Sequence, residues 1–141
     1  MPIGDPMGGE TPESDRGSHL SVDAVMIPVS DIDKALTFYT EILNFTIADD
    51  RRAMGRVELD LPEGGARIVL YRPAPGEEEP GIRTGIVLAT DSIYDLHKVL
   101  VDEDVEFVVK PERDRFGRLI VRILDLDGNE IEGVDRPPAV P

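Results

Sequence analysis

The chain repeats itself. An alternating extended run, a capped amphipathic stretch and three further extended runs occur between residues 20 and 73, and again in the same order between residues 84 and 135. Asp31-Ile32 and Ser92-Ile93 open the two equivalent helices, 61 residues apart. A doubled β-α-β-β-β unit restricts the fold to two like sheets packed together, because one such unit has a sheet face and a helix stripe that it cannot bury alone.

In the first unit a strand is predicted over 22–29, and Ser30-Asp31 then caps a helix. Ile32, Ala35, Leu36, Tyr39 and Leu43 follow at helical spacing, and Asn44 stops the helix. Strands are expected over 45–48, 56–61 and 67–71, parted by Gly55 and by Pro62-Glu63-Gly64-Gly65. The second unit reads as a strand over 85–89, a Thr90-Asp91-Ser92 cap, and a helix carrying Ile93, Leu96, Val99 and Leu100 on one face. Strands over 105–109, 119–123 and 130–134 follow, the last after an Asp127-Gly128-Asn129 turn. Residues 74–83 combine proline, glycine and a Glu77-Glu78-Glu79 run and form the linker. Residues 1–19 read as a flexible tail and 136–141 as a short proline-rich one, so a single domain spans 20–135.

The chain has no cysteine, which removes disulfides, zinc–thiolate sites and a cysteine nucleophile. No apolar run approaches the roughly 18 residues of a membrane span, and the N-terminus lacks a secretion signal, so a cytoplasmic protein is expected. The net charge of −14 disfavours nucleic acid and anionic membranes and would draw in a cationic guest. With two histidines and no glycine-rich phosphate loop, no serine-hydrolase or nucleotide-binding set is visible; both histidines read as solvent-exposed.

Several runs stand in a recognisable order. Val29-Ser30-Asp31-Ile32-Asp33-Lys34-Ala35-Leu36-Thr37-Phe38-Tyr39 is followed by Ile42-Leu43-Asn44-Phe45. Thr90-Asp91-Ser92-Ile93 and Val105-Glu106-Phe107 come next, and Asp125-Leu126-Asp127-Gly128-Asn129-Glu130-Ile131-Glu132 closes the series. Together, over about residues 22–135, they resemble the vicinal oxygen chelate (VOC) superfamily of glyoxalases, bleomycin resistance proteins and dioxygenases. Leu126 stands where that family usually has proline. The resemblance implies an α+β fold of two βαβββ modules, forming an open mixed-sheet barrel around a groove with the helices outside. It also implies a homodimer.

Family enzymes hold a divalent metal with one side chain from the first and last strand of each module. The matching positions here are Ala24, Val69, Gly85 and Glu132, of which only Glu132 can ligate. No metal site and no cofactor are therefore expected. Strand alternation assigns the groove lining to Met26, Arg56, Glu58, Arg67, Val69, Tyr71, Val87, Arg118, Arg122 and Glu132. Its arginines could fork a carboxylate or phosphate, or pair across strands. The leading expectation is a small-molecule-binding protein that sequesters a cationic or amphipathic ligand in its groove. The alternatives are a glyoxalase-like lyase or isomerase, an extradiol-type dioxygenase using a divalent metal, or a metal-free acid–base enzyme with Glu132, Glu58 and Tyr71 as the reacting groups.

Overall fold

The computed structural model describes residues 19–137, so the tail expected at 1–19 falls outside the described residues except for His19, and that expected at 136–141 except for Arg136, which is bonded to Thr90, and Pro137. Strand β1 (Ala24–Pro28) runs into helix α1 (Ile32–Leu36), whose N-cap Asp31 accepts from the Lys34 N–H. From Thr37 to Ile42 the helix widens into a π-turn, and the Leu43 N–H reaches back to the Phe38 carbonyl. The wider turn puts both Phe38 and Tyr39 inside, where the 3.6-residue spacing placed Tyr39 alone. Asn44 ends it with φ 66°, a left-handed conformation that asparagine tolerates.

Strand β2 (Thr46–Arg51), a 3-10 turn (Arg52–Met54), β3 (Arg56–Asp60) and β4 (Arg67–Tyr71) complete the first half. The second half contains β5 (Arg83–Thr90), α2 (Ile93–Asp102), β6 (Glu106–Arg113), β7 (Leu119–Leu124) and β8 (Glu130–Asp135). Ser92 caps α2 by accepting from the Asp95 N–H. Two four-stranded sheets result, ordered β1-β4-β3-β2 and β5-β8-β7-β6, and neither closes into a barrel. In each, the first and last strands pair in parallel and the other neighbours are antiparallel.

Several strands outrun their expected lengths, among them β5, expected over 85–89 and observed over Arg83–Thr90. β6, predicted to end at Val109, continues to Arg113, because a register irregularity between Val109 and Glu112 absorbs Pro111 in an edge strand that needs no ladder donor there. β2, predicted over 45–48, reaches Arg51 through a bulge between Ile47 and Asp49.

The helix-bearing faces of both sheets share one apolar cluster. Ile27, Val57, Leu59, Ile68 and Leu70 of the first sheet join Ile32, Leu36 and Tyr39 of α1 and its π-turn, and also Leu100 of α2, Ile123 of β7 and Ile131 of β8. A buried polar node sits beside it. Asp125 Oδ2 accepts from the Tyr39 hydroxyl at 2.6 Å and from Asn129 Nδ2 at 2.9 Å. Asn129 Oδ1 accepts from the Gly81 and Ile82 N–H groups. Burial first, and then the Asp125 carboxylate, push the Tyr39 phenol well above the usual tyrosine range.

Candidate functional site

Register decides which side chains share the faces opposite the helices. In the first sheet Val69 lies between Met26 on β1 and Glu58 on β3. In the second, Glu132 lies between Val87 on β5 and Arg122 on β7. The two rows occupy equivalent places in the two halves. A neighbouring row in the first sheet is Pro28, Tyr71 and Arg56, and one in the second is Ala89, Val134 and Ile120.

These faces mix apolar surface with closed ion pairs. Glu58 accepts from Arg56 Nη2 at 3.3 Å and from Arg67 Nη1 at 3.1 Å, while Arg67 Nε donates to Asp60 at 2.9 Å. The Asp60 bond, then that to Glu58, holds the Arg67 guanidinium above its ordinary range. Arg122 Nε donates to Glu132 at 3.0 Å. Of the four arginines that could have forked a ligand, three are thus engaged, Arg67 and Arg122 across strands and Arg56 along its own strand. Arg118 differs: it is exposed in the hairpin before β7, and its backbone N–H donates to Asp114. Glu58 is bonded through both carboxylate oxygens, to Arg56 and Arg67, and Glu132 through Oε1 to Arg122. Tyr71 is half-buried beside Arg56.

Exposure along each row is uneven. Val69 is 0% exposed beneath its neighbours, whereas Met26 at 42% and Val87 at 49% stand open. The open apolar side chains border the ion pairs, so the faces offer both contact area and polar handles.

The metal positions inferred from the resemblance do not fit a cation. Ala24, Val69 and Gly85 carry no donor atom, and Glu132 is held by Arg122. Among the described residues no group of three or more His, Asp and Glu side chains is placed to hold a metal ion. His19 is exposed, but His97, expected in solvent, is half-buried with its ring edge-on to Phe107 at 5.1 Å.

Sequence reasoning missed a cavity of about 330 Å³ between the halves, bordered by Phe45, Leu61, Leu88, Leu100, Ile131 and Arg136. No sequence signal marks it, because its walls come from core positions of both units.

The family model of the Glyoxalase/Bleomycin resistance protein/Dioxygenase superfamily matches residues 21–132. The uncharacterized protein YetH of Bacillus subtilis (strain 168) is 29% identical over 111 residues, covering 77% of this chain and 92% of that protein. The crystal structure of a Glyoxalase/bleomycin resistance protein/dioxygenase superfamily member from Sphaerobacter thermophilus DSM 20745 superposes with a TM-score of 0.78 at 31% identity, covering 84% of this chain and 99% of that one. TnmS3, an antibiotic binding protein from Streptomyces sp. CB03234, superposes with a TM-score of 0.73 at 26% identity, covering 84% and 97%.

Proposed function

The chain belongs to the Glyoxalase/Bleomycin resistance protein/Dioxygenase superfamily, and from that premise we propose that it captures a small molecule stoichiometrically on its helix-free sheet faces, without a bound divalent metal. One observation carries this reading. The single oxygen donor among the four family metal positions, Glu132, is committed to Arg122, and the other three positions have nothing to offer. The likeness to an antibiotic binding protein supports capture over turnover. The guest is amphipathic: open Met26 and Val87 supply apolar contact, and the arginine–carboxylate pairs supply hydrogen bonds at its edge. The chain's net charge of −14 favours the approach of a cationic guest over an anionic one, and a cytoplasmic setting is part of the same reading. The two faces lie opposite the shared core, and a homodimer that closes them over a guest is part of this reading.

Native mass spectrometry and elemental analysis of the purified protein test this together. A small molecule retained at one per protomer, without stoichiometric Zn, Ni, Fe or Mn, is expected. Val87→Arg, at an open position, should release the molecule and leave the fold intact. Stoichiometric metal that is lost with Glu132→Ala would overturn the reading.

A further inference from the structure

We propose that the cavity between the two halves is a second binding site, for a small aliphatic or aryl monocarboxylic acid whose tail fills the cavity and whose carboxylate sits on Arg136. The site goes beyond the groove reading. It meets Val87 and Glu132 at the β5–β8 edge, but its walls are the apolar side chains of the helix-bearing side.

Two independent features point to this ligand. The first is the lining. Leu43, Phe45 and Leu61 from one half face Leu88, Leu100 and Ile131 from the other around about 330 Å³. At about 30 Å³ per water-sized group, that space takes on the order of ten such groups. Water would find few hydrogen-bond partners on these walls, whereas a hydrocarbon tail matches them.

The second feature is the mouth. Arg136 Nη1 and Nη2 donate to the two carboxylate oxygens of Glu63 at 3.1 and 3.2 Å, so a carboxylate already occupies the guanidinium fork. Glu63 is a loose occupant: its side chain is 73% exposed, on a turn continued by Gly64 and Gly65 at φ 81° and 92°. Arg136 keeps other contacts. Its backbone N–H donates to the Thr90 carbonyl at 2.7 Å, and its Nε donates at 2.9 Å to Asp91, itself 90% exposed. An incoming carboxylate therefore replaces Glu63 on the Nη1–Nη2 fork while the Arg136 backbone stays in place. The chain's negative charge opposes an anion at long range, but ionic strength screens that field within about 8 Å, and the fork acts at contact.

Calorimetric titration of the full chain with octanoate, octan-1-ol and octylamine tests the assignment. Octanoate should bind one per chain, roughly tenfold tighter than octanol, and octylamine weakest. Arg136→Gln should erase the octanoate preference and keep octanol binding. Leu88→Trp, which fills the cavity, should abolish both. Glu63→Gln, at an exposed turn, should tighten octanoate severalfold by removing its rival, and it keeps the test decisive if Arg136→Gln does not fold. Equal affinity for octanoate and octanol, unchanged binding in Leu88→Trp, or unchanged octanoate affinity in Glu63→Gln would each overturn the proposal.

Discussion

Asn129 donates its side-chain amide to the carbonyl of Pro28 at 2.9 Å, a hydrogen bond that closes 101 residues and ties the turn before β8 to β1. The same side chain accepts from Gly81 and Ile82 in the linker and donates to Asp125. One fully buried residue thus fastens both halves and their connection. Asn129→Leu leaves the Pro28 carbonyl and two N–H groups without partners, and each buried orphan is costly. We expect a loss of about 3 kcal/mol in urea denaturation, seen as a lower midpoint at unchanged slope.

Tyr39 and Asp125 predict an alkaline limit. The folded state keeps the phenol protonated, since burial and Asp125 raise its pKa. That contribution is fully present below the unfolded tyrosine value of about 10 and is lost as pH rises towards the folded one. Tyr39→Phe should cost about 1–2 kcal/mol at neutral pH and flatten the decline in melting temperature above about pH 10.

Gly133 predicts a packing limit. A Cβ there would meet Val121 Cγ2 at 3.0 Å and Leu96 Cδ2 at 3.4 Å. Gly133→Ala obliges the Val121 side chain on β7, and then Leu96 on α2, to give by a few tenths of an ångström, and should cost about 1 kcal/mol in thermal unfolding.

Asp50 predicts an acid limit. Hydrogen bonds from Arg52, first from its guanidinium and then from its backbone N–H, hold the Asp50 carboxyl below its ordinary value. Its contribution is present above the unfolded value of about pH 4 and is lost as pH falls through the folded one. Carboxyl NMR titration should show Asp50 moving up in Arg52→Gln.

Alternation along single strands made much of this legible. Val57 and Leu59 are buried and Glu58 between them faces the other way, as the period of two requires. What depends on neighbouring strands was not. That Glu58 would be reached by Arg67 rests on the pairing of β3 with β4, and a one-residue slip would have changed it. Val69 was assigned to the groove, but no strand pattern shows that its neighbours would cover it completely. Asn129 read as a turn former only, because its partners lie in the linker and the first strand.

The apolar cluster that runs through both sheets gives the doubled unit a single fate. Severed at the linker, neither piece would keep a dry interior, because Leu100, Ile123 and Ile131 complete the packing around Leu36 and Tyr39. Two similar halves therefore melt as one body, and a lesion in either is felt by both.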